Sequence, residues 1–228
     1  DMGTSEHAYG LLMKALFKRQ CAGKGSKIDL AMFESSVSWL TVPITLNGSF
    51  GKVITRRGNT HEFFSPVSVY PTRNGYVYLA VGNDRQWKSL VSQDQFKSLD
   101  LPEYEKNAGR IKDVVNLNKD LAAITRQCTS EELIELFNEI TVPISKIKTV
   151  PEVIQDPLVK KKLLHATDPK TGTRVTFAPP PNMTDFLAAS QGELSFPPRF
   201  GEHNQDIYGK RLGLSDEELR GLKEKGIL

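Results

Sequence analysis

Two β-rich runs, Ser68-Val69-Tyr70 and Tyr76-Val77-Tyr78-Leu79-Ala80-Val81, flank a connection that contains Asn74-Gly75. No other stretch constrains the fold as much. Asn and Gly tolerate the backbone angles of a tight turn, and runs rich in Val and Tyr suit a pleated, half-buried surface. An antiparallel hairpin is therefore expected in the middle of the chain, as the start of a unit of α+β type.

Helical patterns surround it. Ala8, Leu11, Leu12, Ala15 and Leu16 recur at i, i+3, i+4, i+7 and i+8, the stripe of an amphipathic helix over Thr4 to Gln20 with Thr4 as its N-cap. Residues 27–32 largely alternate polar and apolar and read as a short strand, with a helix from about Glu34 to Leu40. Pro43, Asn47 and Gly48 then break the pattern. Helices are expected from Asp84 to Val91, from Asn116 to Ile124 and from Glu131 to Ile140. The last is opened by the capping box Thr129-x-x-Glu132. Ser145 to Gln155 reads as a strand and then a helix, and Thr173 to Phe177 as a strand. The proline-rich Ala178-Pro179-Pro180-Pro181 leads into an extended connection reaching Gly201, and the capping box Ser215-x-x-Glu218 opens a closing helix.

Hydrophobic residues at 39% and charged residues at 25% describe a globular chain. Thirty basic against 27 acidic residues leave +3, too small and dispersed a charge to imply nucleic acid or a membrane surface as partner. No run approaches the roughly 18 apolar residues of a membrane span. Cys21 and Cys128 lie far apart without metal-type or redox-type spacing, which suits reduced thiols. A cytoplasmic location is expected, with a mitochondrial one as the alternative because any targeting segment would lie upstream of Asp1.

The familiar catalytic constellations do not occur. There is no G-x-G-x-x-G, phosphate-binding loop or G-x-S-x-G, and His7, His61, His165 and His203 are scattered. No metal site and no resident cofactor is expected. Residue types and spacing alone lead to a two-part α/β protein and name no reaction.

A resemblance names one. Asp1-x-x-Thr4-x-x-x-Ala8-Tyr9-Gly10 with Ala15-Leu16 resembles the nucleophile-bearing helix start of the family III CoA-transferases, the formyl-CoA transferase or CaiB/BaiF type. The run from Lys18 through Gly23-Lys24-Gly25 to Ile28-Asp29 is similar to the family's next block, with Ala22 where Thr is usual. Arg56-Arg57-Gly58-Asn59-Thr60-His61 resembles R-x-G-N-x-H. Tyr70-Pro71-Thr72-Arg73-Asn74-Gly75-Tyr76 resembles Y-x-T-x-D-G-Y, and Ala80-Val81-Gly82-Asn83-Asp84-Arg85-Gln86-Trp87 resembles A-V-G-N-D-x-Q-F. Val142-Pro143, Val150-Pro151-Glu152-Val153, Asp156-Pro157 and Gly201-Glu202-His203-Asn204 continue the order.

The resemblance implies an α/β fold: part of a doubly wound large domain plus a smaller α+β domain, in subunits interlocked as a ring-like homodimer. Residues 1–48 would form a large-domain segment and 49–177 the small domain. Residues 178–228 would be a return connection and C-terminal helix. Asp1 would be the catalytic nucleophile, and Asn59, His61, Asn83 and Asp84 would contact substrate. The substrates implied are an acyl-CoA thioester and a free carboxylic acid, with coenzyme A entering as substrate. An α-methylacyl-CoA racemase shares the fold but carries an extra acid in the block at Gly82-Asn83-Asp84 and usually lacks D-x-x-T, so the present blocks favour the transferase. A non-catalytic chain, or one that acts only with a partner supplying a CoA-binding half, is the remaining alternative. An Asp ahead of a helix also simply complements the positive end of the helix dipole, and Asn59 and Asp84 suit a turn and a helix cap.

Overall fold

The computed structural model describes residues 1–228. The chain divides into two compact units, Asp1–Ile147 and Lys148–Leu228.

The first unit opens with three helices, α1 (Met2–Ala22), α2 (Met32–Ser38) and α3 (Thr41–Phe50). Helix α1 begins before Thr4: Asp1 is its N-cap residue, and the Asp1 carbonyl accepts from Ser5 N at 2.9 Å. Thr4 instead lies inside the first turn. The apolar stripe of α1 is on a helix as expected, yet no residue of α1 is buried, and Leu12 and Phe17 are exposed. Of the other elements α1 packs against α2. Residues 24–31 form no strand, because alternation prepares a strand while a ladder still needs a neighbour to take its hydrogen bonds.

Helix α3 runs through the expected break. Pro43 falls in its first turn, where the missing N–H has no intrahelical partner to lose. Asn47 and Gly48 fall in the last turn, and the left-handed Gly51 ends the helix (φ 64°).

The core of the unit forms around the hairpin. Strands β1 (Val67–Thr72) and β2 (Gly75–Ala80) pair antiparallel from Val67↔Ala80 to Thr72↔Gly75, so Arg73 and Asn74 make the two-residue loop. Strand β3 (Ile144–Lys146) joins the other side of β2, giving the order β1-β2-β3. Pro71 sits on the edge strand β1, where a lost donor costs no ladder bond. On β2, Val77 and Leu79 are buried and Tyr76 and Tyr78 exposed, the period of two that puts one face on the core.

Helices α4 (Asp84–Val91), α6 (Val114–Thr125) and α7 (Ser130–Glu139) supply Trp87 and Leu90, Leu117 and Leu121, and Leu133 and Phe137 to that core. Each pair is spaced at i, i+3 or i, i+4 and so lies on one helix face. Phe96 meets Phe137 edge-on at 5.6 Å between centroids, a favoured aromatic geometry. The short α5 (Asn107–Lys112) lies between α4 and α6 in the chain and carries Arg110, which has no exposed surface. The capping box at α7 is present in full: Thr129 Oγ1 accepts from Glu132 N at 3.2 Å, and Glu132 accepts from Thr129 N at 2.7 Å.

The second unit carries a sheet of order β5-β4-β6, from β4 (Leu164–Thr167), β5 (Arg174–Phe177) and β6 (Glu193–Leu194). Helices α8 (Val150–Gln155) and α9 (Pro157–Lys160) precede it, and α11 (Asp216–Glu224) closes the chain behind its expected Ser215 capping box. The proline-rich connection is less uniform than its composition implies. It contains α10 (Asp185–Ala189), capped by Thr184, and then β6. Two elements this short offer too few residues for a periodic signal.

Candidate active site

Asp1 stands at the head of a 21-residue helix. The first N–H groups of any α-helix lack intrahelical acceptors and face its N-terminal end, so the Met2, Gly3 and Thr4 amides are the donors nearest Asp1. Asp1, Gly3 and Thr4 line a cavity with Ser35, Ser36 and Trp39, contributed by α2 and the residue that ends it. Ser35 Oγ donates to the Ala31 carbonyl at 2.9 Å and Ser36 Oγ to the Met32 carbonyl at 2.8 Å. Both hydroxyls are thereby turned back onto their own helix.

Trp39 closes one side. Its Nε1–H donates to His7 Nε2 at 2.8 Å, and the two rings meet at 77°. His7 lies one turn along α1 from Gly3, so both face α2.

The other four candidates lie elsewhere in the unit, and none lines the Asp1 cavity. Asn59 is exposed in a turn closed by the Thr60 N to Arg57 O bond at 3.2 Å, with Gly58 at φ 62°. That positive φ favours Gly. His61 Nδ1 accepts from Phe63 N at 3.1 Å, and its ring stacks on Phe64 at 5.3 Å. Asn83 caps α4 by accepting from Gln86 N at 2.9 Å. Asp84 Oδ1 accepts from Arg110 Nη2 at 2.8 Å and from Asn107 N at 2.9 Å. The hydrogen bond from Arg110 is the main cause that holds the Asp84 carboxyl below its ordinary range, and the nearby Lys106 adds to it.

Asn107 links these groups. Its side chain accepts from Ser65 N at 3.0 Å and donates to the Phe63 carbonyl at 2.8 Å. The segment following His61 is thus fastened beside Asp84. Trp39 and His7, 32 residues apart in sequence, are the pair that sequence reasoning passed over. Nothing local to either residue signals a tertiary hydrogen bond.

The family model for CoA-transferase family III matches residues 1–204. The chain belongs to CoA-transferase family III. Within the family it is similar to the formyl-CoA:oxalate CoA-transferase of Streptomyces avermitilis, at 27% identity over all of this chain and 59% of that protein. It is likewise similar to the human succinyl-CoA:glutarate CoA-transferase, at 26% identity over all of this chain and 52% of that one. A crystal structure of a CAIB/BAIF family protein from Brucella suis superposes with a TM-score of 0.70 at 26% identity, covering 91% of this chain and 53% of that one. The chain thus spans between half and three-fifths of the length of these family members. No helix is long and apolar enough to cross a membrane.

Proposed function

We propose that this protein transfers coenzyme A from an acyl-CoA thioester to a free carboxylic acid, with Asp1 as nucleophile. The Asp1 carboxylate attacks the thioester carbonyl; a C–O bond forms, the C–S bond breaks, and CoA leaves as its thiolate. The product on the enzyme is a mixed anhydride. The thiolate then attacks the aspartyl carbonyl, releasing the donor acid as a carboxylate and leaving an aspartyl-CoA thioester. The acceptor carboxylate attacks that thioester and the two steps run in reverse, so CoA departs on the acceptor and Asp1 is regenerated. No net proton transfer is required, and covalent catalysis divides one difficult exchange into easier ones.

The observation that carries this reading is the position of Asp1. It coincides with the family's D-x-x-T block and heads α1, where free amides can hold the tetrahedral oxyanions. The relatives named above are transferases acting on short acyl groups, which favours this reading over the racemase and makes small dicarboxylic acids the first substrates to try. Asn59, His61, Asn83 and Asp84 are proposed substrate contacts, ranked behind Asp1. The doubly wound large domain, the smaller domain and the interlocked homodimer belong to the same proposal.

The test is exchange of CoA between succinyl-CoA and a panel of carboxylic acids by the full-length protein. The expected result is a new acyl-CoA formed by the parent and lost, by at least about a thousandfold, in Asp1→Asn. Undiminished exchange in Asp1→Asn would remove Asp1 from the mechanism.

A further inference from the structure

We propose that Trp39, held in place by His7, limits the size of the acyl group accepted at Asp1. This rests on the reading of Asp1 as nucleophile, because an acyl group joined to its carboxylate must occupy the cavity that Asp1 and Trp39 share. The other walls are Gly3, Thr4, Ser35 and Ser36, all small. Among the residues that line this cavity the indole is the largest side chain.

Two features fix the indole there. A Cβ placed on Gly3 would lie 3.7 Å from Nε1 and Cζ2 of Trp39, so the ring stands over the bare first turn of α1 with room for no more than a methyl group between them. Its Nε1–H is anchored on His7 Nε2 at 2.8 Å. Ser38 Oγ also approaches that nitrogen, at 3.1 Å, but gives its proton to the Ser35 carbonyl at 2.7 Å. An indole N–H can only donate, so His7 Nε2 is the acceptor of the Trp39 bond. Trp39 is 67% exposed. An indole with so little packing would explore other rotamers without the anchor. Trp39 would touch the acyl group, and His7 acts through Trp39 as a positioning residue.

The experiment compares kcat/KM for a short and a long or branched acyl-CoA in the full-length protein. Trp39→Ala should raise the long-to-short ratio about tenfold or more, the scale on which a pocket discriminates a few methylenes, and the change should lie mainly in KM. His7→Phe removes the acceptor and Trp39→Phe the donor. Each should shift the ratio in the same direction by a smaller amount, and the double variant should shift it no further than either alone. His7→Gln restores an acceptor and should return the ratio toward the parent. A Trp39→Ala ratio equal to the parent's, in protein whose Asp1 still becomes acyl-CoA-dependently reactive to hydroxylamine, overturns the role of Trp39 and leaves the nucleophile standing. An Asp1 that never becomes reactive in the parent removes the nucleophile and this proposal with it.

Discussion

The carboxylate of Asp84 accepts a hydrogen bond at 2.8 Å from Nη2 of Arg110, a side chain with no exposed surface. Arg110 spends its other donors on carbonyls, with Nε on Ser65 at 2.6 Å and Nη1 on Tyr104 at 2.7 Å, and its guanidinium lies 5.1 Å from the Trp87 ring centre. One carboxylate thus neutralises a buried charge that ties the loop before β1, the Tyr104 turn and α4 together. Asp84→Ala should destabilise the first unit by about 2 kcal/mol. That is below the range for a fully buried pair, since the Asp84 side chain is 42% exposed and solvent screens it.

The same pair sets a pH dependence. The Asp84 carboxyl is held low chiefly by the Arg110 hydrogen bond, so the folded state favours its ionised form. The stabilisation is fully present above the unfolded carboxylate pKa, near about 4, and is lost as the pH falls through the lower folded value. Urea unfolding of the parent and Asp84→Asn should show a gap in midpoint that is widest at neutral pH and closes in acid. A gap that is independent of pH would contradict the ionic role.

Asn74 joins the hairpin loop to α7: its Oδ1 accepts from Ser130 N at 2.8 Å and its Nδ2 donates to Glu131 at 2.6 Å. The Asn74 Nδ2 bond, with a second from Lys146, presses the Glu131 carboxyl down to about 2, the Asn74 bond being the largest cause. Asn74→Ala should cost about 1–2 kcal/mol in chemical denaturation. Thr129→Ala, which removes the adjoining cap, should cost about 1 kcal/mol. The two sites share the first turn of α7, so the double variant should lose less than the sum.

Gly109 packs where no side chain fits. A Cβ there would fall 1.8 Å from the Glu103 carbonyl oxygen, and a backbone atom cannot swing aside as a side chain can. Gly109→Ala should destabilise by about 3 kcal/mol, against the small gain expected of Ala in an open helix. A thermal midpoint equal to the parent's would show that the Tyr104 turn relaxes freely.

Much of the first unit could be read from its residues because the signals are local. Asn74-Gly75 marked the hairpin, and Thr129 and Ser215 marked helix starts by patterns three residues long. Thr149-x-x-Glu152, an equally complete capping box, was legible on the same grounds. Other features needed the fold. Pro43 ends a helix or starts one according to where the first turn falls, and residues 27–32 have a strand's alternation but no partner strand. The stripe of α1 gave the helix correctly without saying what it packs on. At the candidate site, Asp1 is singled out only by the order of the family's blocks, while His7 and Trp39 meet by tertiary packing that no spacing rule anticipates.

The central claim is that Asp1 forms covalent intermediates with acyl-CoA. The full-length protein, incubated with acyl-CoAs and quenched with hydroxylamine, should yield an aspartyl hydroxamate on the peptide carrying Asp1, seen by mass spectrometry only when acyl-CoA is present. An unmodified Asp1 in protein that is nonetheless transferring CoA would contradict the account.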